Sequence, residues 1–134
     1  MLPSYWRLRA SNTQNQSVTV TVKAKPWKFN SSGQIVFGSE VTLISASSLA
    51  ASTGTGVSSA QNNDTSGAYW LGLHLTASYQ AGAATNGTGA VVLTIEASTD
   101  AGTTWPTAGN GIFAGAHTLL AADGTTGMLR NHEV

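Results

Sequence analysis

Alternation of apolar and polar side chains with a period of two most constrains what this chain can fold into. From Gln16 to Lys25 it places Val18, Val20, Val22 and Ala24 on one face and Thr19, Thr21, Lys23 and Lys25 on the other, as in a half-buried antiparallel strand. Tyr5 to Ala10 repeats the pattern, with Trp6, Leu8 and Ala10 set against Tyr5, Arg7 and Arg9. The polar run Ser11-Asn12-Thr13-Gln14-Asn15 between the two predicts a hairpin. Ala68 to Tyr79 is the strongest core strand, carrying Tyr69, Leu71, Leu73, Leu75 and Ala77 on one face and Trp70, Gly72, His74 and Thr76 on the other. Ile35-Val36-Phe37 and Glu40 to Ser45, broken at Gly38, add strand material, as does Ala90 to Ala97. Ile112-Phe113 and His117 to Ala122 supply one or two closing strands, Asp123-Gly124 reads as a turn, and Met128 to Val134 as a tail or a last edge strand. No segment of ten or more residues holds a helical period with suitable caps.

Seven or eight short strands with polar turns predict an all-β fold, an antiparallel β-sandwich wired as a jelly roll or a Greek key. A chain of 134 residues buries one core, so residues 1–134 are expected to form one domain. Ser45 to Gly67 is low in complexity and longer than the roughly 12–15 residues usual for a structureless loop. It either holds a short edge strand near Val57 or projects as a long flexible Ser/Ala/Thr/Gly loop that orders against a neighbour; the projecting loop is the expectation adopted.

Zero net charge with 41% hydrophobic residues argues for a folded chain, and so few charges favour association. The basic residues Arg7, Arg9, Lys23, Lys25 and Lys28 all precede the acids Glu40, Asp64, Glu96, Asp100, Asp123 and Glu133. This is read either as a basic face meeting an acidic face of a neighbouring copy or partner or as solvent-facing guards on edge strands. Without cysteine there is no disulfide framework or thiolate site. The N-terminal residues show no signal-peptide h-region, and no run approaches the roughly 20 apolar residues of a membrane span. Five positive charges without a clustered motif are weak evidence for nucleic acid.

After the strand ending at Ala97 comes the octapeptide Ser98-Thr99-Asp100-Ala101-Gly102-Thr103-Thr104-Trp105. Ser98 and Asp100 carry short acceptors for nearby backbone N–H groups, Gly102 supplies positive φ, and Trp105 can fold back over the turn. The spacing S-x-D-x-G-x-T-W resembles the Asp-box hairpin of sialidase-like and related β-proteins. In those families the box is a peripheral fold element, which implies architecture for Ser98, Asp100, Gly102, Thr104 and Trp105 rather than catalysis. A propeller needs at least four blades of roughly forty residues each, so a sialidase-type propeller does not fit this length.

Candidate chemistry is sparse. His74, His117 and His132 are far apart with no carboxylate at a ligand-like spacing, so no metal or other cofactor is expected. Glu40 and Glu96 could in principle face each other as a glycosidase pair, but Glu96 falls on the outer side of its strand, where solvation is the usual explanation. The glycines fit no phosphate loop, and enzyme activity is not expected. Lys25-Pro26-Trp27-Lys28-Phe29 mixes cations with aromatics and is open to three readings: stacking on a sugar or base, an interface anchor, or a cap on the open end of the sandwich.

The segment from Val91 to Trp105, of the form strand-Glu-x-Ser-x-Asp-x-Gly-x-Thr-Trp, together with the cysteine-free, charge-poor, Ser/Thr/Gly/Ala-rich composition, resembles small jelly-roll bacteriophage virion structural proteins. It departs from the usual hairpin at Ala101, where a second Gly is frequent, which leaves the turn type open. The resemblance implies a non-enzymatic capsid decoration or head–tail or tail accessory subunit, located in the virion and made in the host cytoplasm. Its partners would be other virion proteins and copies of itself, engaged by surface complementarity and strand-edge or loop exchange. Residues 1–5, 128–134 and 45–67 are the candidate contact segments. The competing expectation is a receptor-binding carbohydrate module that stacks sugars on Trp27 or Trp70.

Overall fold

The computed structural model describes residues 1–64, 69–83, 87–107, 110–120 and 128–134. Ten strands follow one another: β1 (Tyr5–Asn12), β2 (Val18–Phe29), β3 (Ile35–Phe37), β4 (Val41–Leu49), β5 (Thr55–Val57), β6 (Gln61–Asn62), β7 (Gly72–Ala81), β8 (Val91–Ser98), β9 (Ile112–His117) and β10 (Met128–Glu133). They form two antiparallel sheets, one ordered β5-β1-β8-β9 with β6 also on β1, the other β10-β7-β2-β3 with β4 also on β2. The β-sandwich expected from the alternation is therefore the fold. The count of ten exceeds seven or eight because two edges are broken. β3 and β4 lie along one edge of β2, and β5 and β6 along one edge of β1. Counting each pair once leaves eight units. Only β2–β3 and β8–β9 are sheet neighbours that are also consecutive in the chain. Apart from β2–β4, which are linked through β3 of the same sheet, every other pairing closes an excursion through the opposite sheet, as in Greek-key wiring.

The faces follow the alternation. Trp6, Leu8 and Ala10 from β1 and Val91, Leu93 and Ile95 from β8 meet Val18, Val20, Val22 and Ala24 from β2 and Leu73, Leu75, Ala77 and Tyr79 from β7. Within β7 the apolar face runs to Ala81, so the strand lies later than the sequence suggests. Tyr69 precedes it and is exposed, while Trp70 packs against the core instead of sharing the outer face with His74. His117 ends β9 rather than opening a further strand.

Three expectations are corrected. β1 and β2 are not a hairpin: they belong to different sheets, and the residues between them arch across the end of the sandwich. Asn12 and Gln14, expected as turn surface, are buried there. Asn12 Nδ2 donates to the carbonyls of Gln16 (2.9 Å), Leu49 (3.3 Å) and Ala50 (3.0 Å), and its Oδ1 accepts the Gln14 N–H at 3.0 Å. The Ser52 N–H donates to Gln14 O and Gln14 Nε2 to His117 O. These amides do for the arch what a ladder does for a hairpin.

The stretch 45–67 is not a projecting loop. β4 continues to Leu49, and β5 and β6 pair with β1. Its small residues permit close approach: a Cβ added at Gly56 would lie 3.0 Å from Ser47 Oγ and 3.2 Å from Leu49. Between β5 and β6, Ser58 replaces a ladder step, its N–H donating to Leu8 O and its Oγ accepting the Leu8 N–H. The terminal segments also pack within the chain. Leu2 is buried and its carbonyl accepts from Asn63 Nδ2 at 3.2 Å, and β10 pairs with β7. Asp123-Gly124 and residues 65–67 lie outside the described residues.

Candidate functional site

The segment Lys25-Pro26-Trp27-Lys28-Phe29 is divided by strand parity. Lys25, Trp27 and Phe29 share the outer face of the β7–β2–β3 sheet, since β2 is extended and successive side chains alternate. The β2–β3 register places Phe37 opposite Trp27 and Ile35 opposite Phe29. The rings of Trp27 and Phe29 meet edge to face, 5.9 Å apart at 80°. On the other side Trp27 is paired with Gly72, where an added Cβ would lie 2.6 Å from the indole Nε1. The glycine is thus a seat for the indole, an aromatic laid over a backbone that has no side chain of its own.

Phe29, Ile35 and Phe37 are 52%, 56% and 58% exposed, large values for three contiguous apolar side chains, and such contiguous patches mark contact surfaces. Trp27, Ile35, Phe37 and His74 line an open cavity of about 260 Å³. Lys25 is paired with His74 beside it. This patch is the candidate site.

Lys28 and Trp70 stand elsewhere. Lys28 Nζ lies 5.0 Å from the Trp70 ring centroid, a cation–π contact. Trp70 is pinned by Asn63, whose Oδ1 accepts the Trp70 N–H at 2.9 Å and whose Nδ2 donates to Trp70 O at 3.1 Å. A Cβ at Gly38 would meet Trp70 at 2.8 Å and Pro26 at 2.9 Å, so the ring is wedged into the end of the sandwich. Trp70 is therefore a packing residue beside a smaller cavity of about 160 Å³ that Trp6, Asn62 and Leu73 also line.

The octapeptide forms the turn its residues imply. Ser98 Oγ accepts the Gly102 N–H at 2.9 Å and donates to Asp100 Oδ1 at 2.7 Å. Asp100 Oδ1 also accepts the Thr104 N–H at 2.8 Å, and Oδ2 accepts the Thr104 hydroxyl at 2.6 Å. Hydrogen bonds from Thr104, then Ser98, lower the Asp100 carboxyl from 3.8 to about 2. Gly102 has the expected positive φ of 87°, and Ala101 has one too, at 58°. Trp105 returns over Gly102, with 3.6 Å between its ring and a Cβ built there.

An alanine in the left-handed region is strained. Ala101→Gly is therefore expected to stabilise the fold by about 0.5–1 kcal/mol, and Asp100→Ala to lower the Tm by releasing Ser98 and Thr104. Calorimetric Tm values for the two variants check both signs, and an Asp100→Ala Tm equal to the wild type would refute this account of the turn.

Glu96 was expected to be solvated, and the structure overturns that. It is fully buried, with Arg7 Nε on Oε2 at 2.6 Å and Arg9 Nε on Oε1 at 2.5 Å. Burial pushes its carboxyl up, but hydrogen bonds from Arg9 and Arg7, with their charges, outweigh this and leave it below the ordinary value. Arg7 also lies 4.4 Å over the Trp105 ring centroid, which ties the octapeptide to β1. The edge-strand reading of the basic residues does not fit this arrangement. β1 and β2 are interior strands, and Arg7 and Arg9 are engaged within the chain. Glu40 lies in the link between β3 and β4 of the other sheet, 3.2 Å from Lys23, so Glu40 and Glu96 do not face each other.

His117 and His132, distant in sequence, converge on buried Tyr79. Its hydroxyl is 3.3 Å from His132 Nε2, and its ring centroid is 5.4 Å from that of His117. Among the described residues no group of three or more His, Cys, Asp or Glu could hold a metal ion. Compared with protein families, curated proteins and solved structures, the chain matches none.

Proposed function

We propose that this chain is a non-enzymatic structural subunit that docks through the outer face of the β7–β2–β3 sheet, in the manner of a bacteriophage decoration or head–tail accessory protein. The observation that carries this reading is the exposed patch of Phe29, Ile35 and Phe37 around Trp27. Water gains little from contact with three large apolar side chains, and covering them favours association at about 25 cal/mol per Å² of apolar surface. Partners are other virion proteins and further copies of the chain, with symmetry multiplying each contact.

The double variant Ile35→Ser/Phe37→Ser tests this. Both residues are more than half exposed, so the fold is retained, as circular dichroism will confirm. Wild type is expected to gain mass with concentration in sedimentation equilibrium, or to co-sediment with purified particles, and the variant to do neither. A wild-type chain that stays monomeric and binds no particle sinks the proposal.

One observation favours a second reading, a carbohydrate-binding module: the Trp27 indole is held in place over Gly72 beside the cavity of about 260 Å³, an arrangement suited to stacking a sugar ring. Saturable quenching of Trp fluorescence by a glycan, with the protein monomeric throughout and the response lost in Trp27→Ala, would select it. Trp70 is too firmly packed to serve as that platform.

A further inference from the structure

We infer that Arg7 and Arg9, on the outer face of the β5–β1–β8–β9 sheet, form a site for a single carboxylate carried by a protein partner. Each guanidinium uses only Nε on Glu96, and its Nη groups make no hydrogen bond among the described residues. The two side chains are 20% and 13% exposed, so those donors are open to a ligand from outside while the carbon stems are packed. Glu96 engages one arginine with each oxygen. It therefore fixes both forks side by side, and Trp105 stacks on Arg7 to hold its plane. The rotamer entropy that normally opposes a fork contact has already been lost on folding.

Charge selects the ligand. Two guanidinium ions and one carboxylate leave the cluster at +1, so one carboxylate brings it to neutrality. A phosphate, at about −1.5 to −2 near neutral pH, would overshoot. Guanidinium forks match two coplanar oxygens in the bidentate manner of Arg–carboxylate pairs.

The surroundings point to a protein as the source of that carboxylate. One cross-strand row on this face reads Val57–Arg9–Thr94–Phe113, with Val57 41% and Phe113 66% exposed. Trp105 stands over the neighbouring Arg7. Arg, Trp and an apolar rim are the composition of an interface hot spot. This site lies on the opposite sheet from the Trp27 patch and goes beyond the docking proposed there, since a subunit with both would bridge two neighbours.

The test follows the arginine Nε–Hε signals of the ¹⁵N-labelled full chain at constant ionic strength. The probes are acetate, inorganic phosphate, capped Leu-Glu-Leu and capped Leu-Gln-Leu. Acetate is expected to shift Arg7 and Arg9 saturably and leave Arg130 in place. Leu-Glu-Leu should bind about tenfold more tightly than acetate because it also covers the apolar rim, and Leu-Gln-Leu should not bind. Arg9→Lys keeps the charge and the ion pair but loses the fork, and should weaken Leu-Glu-Leu by about tenfold. Equal, unsaturable shifts of all three arginines overturn the site. Tighter binding of phosphate overturns the carboxylate assignment, and a peptide no tighter than acetate overturns the protein source. Ile35→Ser/Phe37→Ser is expected to leave these titrations unchanged, so failure here and failure of the docking proposal are told apart.

Discussion

Glu96→Gln is expected to destabilise the fold by about 3 kcal/mol, the low end of the roughly 3–5 kcal/mol lost when one member of a buried ion pair is removed. The carboxylate gives one oxygen to each guanidinium, whereas a carboxamide has one acceptor and an NH2 group. One arginine would then face a donor, and two like charges would stand side by side without a counter-charge. The low end applies because Arg7 and Arg9, 20% and 13% exposed, can turn partly towards water. Urea denaturation at neutral pH measures the difference.

The pH dependence gives an independent check. Folding lowers the Glu96 carboxyl below its ordinary 4.5, so on acidification the unfolded chain takes up its proton first. The stabilisation is present above pH 4.5 and is lost as pH falls through the lower folded value. Asp100, lowered from 3.8 to about 2, acts in the same direction over its own range. Wild type and Glu96→Gln should therefore converge in stability as the pH drops below 4.5. A gap that stays constant down to the acid transition would show that the loss comes from packing and not from charge.

Parity alone specifies much of this architecture. The alternation in Tyr5–Ala10 and Gln16–Lys25 correctly assigns the buried and outer faces of β1 and β2, because each sheet has one face on the core. The same parity places Trp27 and Phe29 with Lys25 and apart from Lys28, so the division of the aromatic segment could be read from residue numbers. Glu96 marks where local pattern ends. Its parity is outer, as expected, but its environment is set by Arg7 and Arg9, which arrive across the β1–β8 ladder from about ninety residues away. Nothing near Glu96 in the sequence signals that pairing. The stretch 45–64 is illegible in the sequence for a related reason: small polar residues suit a loose loop and a tightly packed edge equally well, and Ser58 acts as a ladder partner only because Leu8 is opposite. The convergence of His117 and His132 on Tyr79 likewise depends on β9 and β10 closing the same side of the sandwich.

The arch between β1 and β2 shows how one buried side chain decides between two topologies. Polar residues between two amphipathic strands predict a hairpin, and a hairpin would satisfy the turn by pairing β1 with β2. Here the strands part, and the backbone groups of the crossing need other partners. Asn12 supplies them, donating to Gln16, Leu49 and Ala50 and accepting from Gln14, at 1% exposure. Asn12→Ala leaves the Gln16 and Leu49 carbonyls and the Gln14 N–H short of that partner where water has poor access, and the Ala50 carbonyl short of it nearer the surface. At roughly 1 kcal/mol or more per unsatisfied buried group, the expected loss is about 3 kcal/mol. Asn12→Asp keeps the acceptor but sets a carboxylate against three carbonyl oxygens, so it should be at least as damaging at neutral pH and should recover on acidification, as the carboxyl protonates. Chemical denaturation of both variants across pH decides the matter. If Asn12→Asp is as stable as wild type at pH 7, the amide is not what holds the two sheets' connection in place.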